Sequence, residues 1–480
     1  MSGFFGVASK DDCVTDLFYG TDYHSHLGTR RGGLAVRGMS GIQRYIHDIT
    51  TSQFRSKFQQ DISTLQGTMG IGVISDFEDQ PLIIGSHLGM YAIVTIGVVK
   101  NLEKLAHDAC AQKSVHFSEM SGGEINPTEL IATIINDAAT FEEGIERVKE
   151  LVRGSCSFML LTDKGIYAVR DRFGKTPVII GKKEGAWAVT FETCAFPNLG
   201  YTIDRDLGPG EAVLITPEGV EQKAAPGKQM SICSFLWVYY GYPASTYEGC
   251  NVEDCRYRCG AMLAKRDTVK VDVAAGIPDS GVGHSIGYAN QAGVPHSRPF
   301  VKYTPTWPRS FMPPHQSVRE LVAKMKLIPI RELIQGKRLL FCEDSIVRGT
   351  QLADTIQRLF DYGAREVHMR PACPPLIFGC PFLNFSRSRS ELDLAGRRAI
   401  KELEGKEDID FAGYLDPGSD HYRAMIGRIA HHLRLTTLKY QLLDDLIASI
   451  GLPREKLCTY CWTGQDPTGQ FRPWGGGLQE

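Results

Sequence analysis

Arg338-Leu339-Leu340-Phe341-Cys342-Glu343-Asp344-Ser345-Ile346-Val347-Arg348-Gly349-Thr350 is the stretch from which the fold can be read outward. An apolar run ends in two adjacent carboxylates, Glu343 and Asp344. A short loop with one Arg and one Gly follows, then apolar residues at helical spacing: Leu352, Ile356, Leu359 and Phe360. A strand–loop–helix unit of this kind aims backbone N–H groups and the positive end of the helix at whatever sits in the loop. The loop from Ser345 to Thr350 suits a phosphate monoester, and the paired acids suit ribose hydroxyls and a hydrated magnesium ion.

On either side of this unit the chain changes its grammar. Up to about residue 225 it reads as short strands with turn signals, interrupted by helical stretches at Glu129–Ala139 and Phe141–Val152. Val178-Ile179-Ile180, Ala188-Val189-Thr190-Phe191 and Ala212-Val213-Leu214-Ile215 are strand-like, and this half is α+β. From Thr268 strands alternate with helices: Val269, Val271 and Val273 alternate, and Gly276-Ile277-Pro278-Asp279-Ser280-Gly281 turns into a helix. Such alternation implies a mostly parallel sheet covered by helices. From about residue 387 the chain is helical and charged, and it ends in Pro- and Gly-rich polar sequence.

Bulk properties narrow the function. At 480 residues the chain has room for at least two domains with cores of their own. Its 53 Lys+Arg nearly balance 55 Asp+Glu, which predicts no broad attraction to nucleic acid or membrane. No apolar run reaches membrane-spanning length, and Met1-Ser2-Gly3-Phe4-Phe5-Gly6 lacks the features of a secretory signal. The expectation is a cytoplasmic protein. Thirteen cysteines in such a chain point to free, metal-bound or cluster-bound thiols rather than disulfides.

The loop motif resembles the phosphoribosyl-pyrophosphate (PRPP) loop of type I phosphoribosyltransferases, and Asp-Ser-Ile-Val-Arg-Gly-Thr is similar to that of the glutamine PRPP amidotransferase (amidophosphoribosyltransferase) family. The likeness extends to Arg170-Asp171-Arg172-Phe173-Gly174-Lys175-Thr176-Pro177, Phe191-Glu192-Thr193-Cys194-Ala195 and the crossing segment Cys233 to Tyr240. It implies an α+β amino-terminal-nucleophile-type (class II glutaminase-like) domain, residues 1–228. An α/β type I phosphoribosyltransferase domain with a mostly parallel sheet would follow, residues 229–400, and then a helical segment, residues 401–480. PRPP would lie on Ser345, Ile346, Val347, Arg348, Gly349 and Thr350. Glu343 and Asp344 would meet ribose hydroxyls or magnesium, with Ser280 near the metal. Lys302, Arg309 and Lys326 match basic positions expected to meet pyrophosphate. The closing loop departs from the family, because Pro305, Trp307 and Pro308 replace a flexible, Gly-containing stretch.

The amino-terminal half keeps the family's wording but not its catalytic groups. Ser2 stands where the family has an amino-terminal Cys nucleophile, and its hydroxyl is a far weaker acid than a thiol. The glutamine-binding Arg is matched by Ser75, the oxyanion-hole Asn-Gly-Asn by Ile96-Gly97-Val98, and the acid that holds the substrate amine by Pro127. The expectation is a degenerate, inactive glutaminase site at Ser2.

Cys458-Thr459-Tyr460-Cys461 by itself fits zinc, a redox pair or a cluster. The resemblance adds Cys233 and Cys380, and the four match the ligands of a structural [4Fe–4S] cluster in one branch of the family. The implied function is transfer of a phosphoribosyl group from PRPP to ammonia or another amine, as in purine biosynthesis. Magnesium is the expected ion, purine nucleotides are possible inhibitors, and a dimer or tetramer is expected. The alternative is a non-catalytic regulator that senses PRPP or nucleotides.

Overall fold

Gly3–Ser9 forms β1, and every residue in it is buried. A strand covered on both faces reads as a continuous apolar run, as Phe4, Phe5, Val7 and Ala8 do here. The computed structural model describes residues 2–113, 116–118, 120–121, 124–303, 326–383, 391–405, 409–475 and 477–479.

After α1 (Val14–Asp22) come β2 (Arg31–Gly38), β3 (Gly41–Asp48), β4 (Met69–Ser75), β5 (Leu82–Ser86) and β6 (Gly89–Val99). Helices α2 (Leu102–Lys113), α3 (Pro127–Asn136) and α4 (Phe141–Leu151) lead into β7 (Gly154–Leu161) and β8 (Ile166–Val169). The strands β9 (Ile179–Lys183), β10 (Ala186–Thr190), β11 (Thr202–Asp206), β12 (Ala212–Thr216) and β13 (Gly219–Ala224) complete two antiparallel sheets. Their orders are β11-β9-β10-β1-β4-β2-β3 and β13-β12-β8-β7-β6-β5. Val7 and Ile71 of the first sheet share one core with Met159, Ile166 and Val213 of the second. The outer face of the second sheet, through Phe158 and Leu160, packs on Ile131, Ile135, Ile145 and Val148 of α3 and α4. Local chemistry sets these helix starts: Asn126 accepts from the Thr128 N–H at 2.9 Å with Pro127 in the first turn, and Thr140 accepts from the Glu143 N–H at 3.2 Å.

The second half begins with β14 (Ile232–Cys233) and a helical turn at Leu236–Tyr240, whose carbonyls are gripped from α5 (Val252–Lys265). The buried guanidinium of Arg256 donates to the carbonyls of Trp237 at 3.1 Å and Gly241 at 2.9 Å. Next come β15 (Val273–Gly276), α6 (Val282–Ala292), and a ribbon of β16 (Phe300–Lys302) with β17 (Leu327–Pro329). Then follow β18 (Arg338–Glu343), α7 (Thr350–Asp361), β19 (Glu366–Pro371), α8 (Ala395–Glu404), α9 (Asp420–His432), β20 (Thr437–Leu438) and β21 (Leu457–Cys458). The sheet β15-β18-β19-β20 is parallel throughout. The fold is thus an amino-terminal-nucleophile-type glutaminase-like domain followed by a type I phosphoribosyltransferase domain.

Two details differ from the sequence reading. The strand expected from Val269 starts only at Val273, because Asp267 accepts the Val269 N–H at 3.3 Å and turns the chain first. The segment read as a separate helical end supplies β20 to the parallel sheet, and the expected boundary at residue 400 falls inside α8. The charged helices carried the reading there, and a two-residue edge strand has no periodicity to detect.

Candidate active site

The carboxylates of Glu343 and Asp344 sit at the carboxyl end of β18, the usual ligand side of a parallel sheet. Both are buried, at 8% and 5% exposure, so neither is an ordinary surface acid. Glu343 Oε1 accepts from the Ser280 hydroxyl and from the Asp344 N–H, both at 3.0 Å. Burial and the adjoining Asp344 carboxylate push the Glu343 carboxyl well above the usual carboxylate range. Ser345 Oγ donates to Asp344 Oδ1 at 2.5 Å. The loop then closes at Gly349, whose φ of +76° caps α7, a conformation costly for any residue with a Cβ.

Ser280 reaches Glu343 because the 276–281 turn lies against the end of β18. A Cβ on Gly281 would come within 2.2 Å of the Cys342 carbonyl oxygen, so only glycine fits. Lys302 Nζ pairs with Asp279 at 2.6 Å, which puts it one residue from Ser280. Lys326 joins the same ribbon through its carbonyl, which accepts from the Tyr303 N–H at 3.0 Å. Arg309, with Pro305, Trp307 and Pro308 of the closing loop, lies outside the described residues.

Sequence reasoning missed a clasp on this loop. The Ala395 N–H donates to the Val347 carbonyl at 2.7 Å, Arg398 donates to the Arg348 carbonyl, and Arg348 pairs with Asp393 at 3.5 Å. The start of α8 thus holds the two loop carbonyls of Val347 and Arg348. The signal available was α8's buried apolar stripe, Ala395, Ala399 and Ile400, which shows that the helix packs but not on what.

Cys233, Cys380, Cys458 and Cys461 come together from three parts of the chain. β14 and β21 pair in parallel with Cys233 opposite Cys458. The Cys461 carbonyl accepts from the Ile377 and Phe378 N–H groups at 3.1 and 3.2 Å, which brings in the segment leading to Cys380. All thirteen cysteines are free. Burial, then Cys458, pushes the Cys380 thiol up to about 11. Burial and the neighbouring thiols push Cys233 and Cys461 well above their ordinary value. Among the described residues, no group of three or more His, Cys, Asp and Glu side chains is arranged to hold one metal ion. Beside the four thiols lies a cation the sequence reading did not single out. Lys175 is 1% exposed, donates to Ser231 Oγ at 3.0 Å and sits 3.7 Å above the Phe382 ring.

Ser2 lies at the start of β1 and lines a cavity of about 560 Å³ with Glu78, Ile96, Val98 and Ser155. Ser75 is buried and its hydroxyl donates to the Glu78 carbonyl at 2.7 Å, so this position presents no cation. Pro127 occupies the first turn of α3, where a missing N–H costs nothing.

Residues 69–197 match the family model described as a glutamine amidotransferase domain. The amidophosphoribosyltransferase of Methanocaldococcus jannaschii is 28% identical over 98% of this chain and 98% of its own length. That of Bacillus subtilis is 28% identical over 97% of this chain and 94% of its own. The fold is also that of the B. subtilis glutamine PRPP amidotransferase solved with ADP and GMP, with a TM-score of 0.83, 27% identity and 97% of each chain covered. In sequence and in fold, the likeness of this chain to amidophosphoribosyltransferases runs over nearly its whole length.

Proposed function

We propose that the carboxy-terminal half transfers the phosphoribosyl group of PRPP to ammonia or another amine, displacing pyrophosphate with inversion at ribose C1. The observation that carries this is the buried pair Glu343 and Asp344, tied to Ser280 at the mouth of a glycine-capped loop. Two hard carboxylates and a hydroxyl are the donor types magnesium takes, and that ion would neutralise the leaving pyrophosphate. The loop amides and Thr350 would hold the 5′-phosphate, and the acids would orient the ribose hydroxyls while positive charge grows on the ring. The nucleotides bound in the B. subtilis relative support purine nucleotides as inhibitors here too. The clasp of α8 on Val347 and Arg348 favours a second reading, a PRPP-sensing regulator without turnover. Pyrophosphate release from PRPP with magnesium, measured across ammonia, glutamine and a panel of amines, separates the two. Release with ammonia or an amine is expected; none with any acceptor overturns the transferase reading.

The amino-terminal domain, in this reading, hydrolyses no glutamine. It lacks an Arg at Ser75 for the substrate carboxylate and Asn donors at Ile96 and Val98 for the oxyanion. Loss of one such donor costs about a hundred- to thousandfold in rate. No glutamate should therefore be released from glutamine, and Ser2→Cys alone should not restore it. Glutamate formation by the unaltered protein would overturn this part of the reading.

The four grouped cysteines support a structural [4Fe–4S] cluster. A [4Fe–4S] cluster takes four Cys thiolates, the number that this group supplies from three parts of the chain. When bound, the cluster would supply a covalent tie between the crossing segment and the carboxy-terminal end.

A further inference from the structure

Past the turn that carries Cys461, the chain leaves the second half and runs onto the amino-terminal domain. Its path is fixed in three steps. Gly464 follows the turn at Tyr460–Thr463 with a φ of +66°, and its carbonyl accepts from the Trp474 N–H at 2.8 Å. The buried carboxylate of Asp466 stands 3.9 Å from the Lys175 ammonium and accepts from the N–H groups of Gln470 at 2.8 Å and Phe471 at 3.1 Å. Asp466 thereby shapes the turn that presents Gln470. The Gln470 side chain then pairs with Gly154 of β7 as a neighbouring strand would: its Oε1 accepts from the Gly154 N–H at 2.8 Å, and its Nε2 donates to the Gly154 carbonyl at 3.3 Å.

Beyond Gln470 the chain folds back on itself. The Arg472 N–H donates to the Gly477 carbonyl and the Gln479 N–H to the Gln470 carbonyl, both at 2.8 Å, and Phe471 bridges to Leu478. This return sets Leu478 in the wall of the cavity that Ser2 lines, together with Cys156. Gln470 and Cys156 also line a second, smaller cavity of about 20 Å³. Phe471 packs edge-on against Phe382, but past it the hold is light. Arg472, Pro473, Trp474, Gly477 and Gln479 are exposed, and Trp474 lies at a φ of +58°, a conformation costly for a residue with a Cβ. A segment with so few buried apolar contacts opens at a small fraction of the cost of unfolding the domain.

We infer that the segment bearing Gln470 and Leu478 is a latch on the cavity at Ser2, with Gln470 as the catch and Leu478 as the cover. With the catch made, the cavity is covered; with it released, solvent and small molecules enter. Cys156 reports the difference. It is 7% exposed, and burial, then the carboxylates of Asp171 and Glu78, pushes its thiol well above the ordinary value. In the closed state it is neither reached nor ionised, so it should react slowly.

Alkylation of the full-length native protein with iodoacetamide, followed cysteine by cysteine by peptide mass spectrometry, tests the latch. Gln470→Ala removes both bonds to Gly154 and should speed Cys156 about tenfold or more, because the rate follows the open fraction. Leu478→Asp keeps the catch, spoils the apolar cover and should speed Cys156 too. Cys13, 1% exposed and outside both cavities, should keep its wild-type rate in either variant. If Gln470→Ala does not fold, Leu478→Asp serves alone. An unchanged rate at Cys156 in either folded variant overturns the inference. So does an equal rise at Cys13, which would mark general loosening of the domain.

Discussion

Asp344→Asn is expected to lower pyrophosphate release by about tenfold to a hundredfold, and by more than it lowers PRPP affinity. The substitution keeps size and shape and removes one negative charge at a position only 5% exposed, where solvent screening is weak. A charge-assisted hydrogen bond is worth about 1.5–3 kcal/mol, which sets that range. The asymmetry between turnover and binding follows from where charge appears. The ribose ring becomes cationic only in the transition state, so a carboxylate beside it stabilises that state more than bound PRPP. The neighbouring contacts make the test selective, because Ser345 Oγ can donate to an amide oxygen as it does to Asp344 now. Steady-state pyrophosphate release and equilibrium PRPP titration on the same preparations give both numbers. Weakened binding with no turnover in any variant, wild type included, would mark a sensor. Unchanged affinity and unchanged turnover would remove PRPP from this loop altogether.

Cys458→Ser is expected to abolish iron binding and loosen the carboxy-terminal end. Protein purified without oxygen should be brown and carry about four irons per chain, as a [4Fe–4S] cluster requires. Cys458 lies on β21, and its carbonyl also accepts from the Ser234 N–H at 3.3 Å and from Ser234 Oγ at 2.9 Å. The two-residue pairing of β14 with β21 is too short to be stable alone, so a cluster on the four thiols would add to the hydrogen bonds that keep it. Farther along, Gln470 Oε1 accepts from the Gly154 N–H at 2.8 Å, so loosening should spread to the contact with the amino-terminal domain. The measurements are iron content, visible absorbance and melting temperature, with Cys110→Ser, an exposed cysteine, as the control that changes none of them. Zinc, or no metal, in protein purified without oxygen would reject the cluster.

The sequence by itself determined the two kinds of fold and their order, and the acid-ended strand with its loop and helix. These are local features: the run Ala212-Val213-Leu214-Ile215 lies in β12, and the face of α7 at Ile356 and Leu359 is buried as its spacing predicts. Patterns of period 2 and 3.6 survive folding because each reports the burial of its own element. The proposal of an inactive glutaminase site likewise rests on single residue types, at Ser2, Ser75, Ile96 and Val98.

Only the tertiary structure decided which distant groups meet. Nothing along the chain tells that Ala395 and Arg398 hold the carbonyls of Val347 and Arg348, or that Lys175 lies beside thiols far away in sequence. Hydrogen bonds to backbone carbonyls carry no side-chain signature on the accepting side, so the clasp is invisible until the helix is placed. Glu78 is the clearest case. In sequence it is one acid in a polar turn; in the fold it lines the cavity at Ser2, and burial raises its carboxyl above the ordinary value. Its character is set by burial among residues distant in sequence, and that is a property of three-dimensional packing alone.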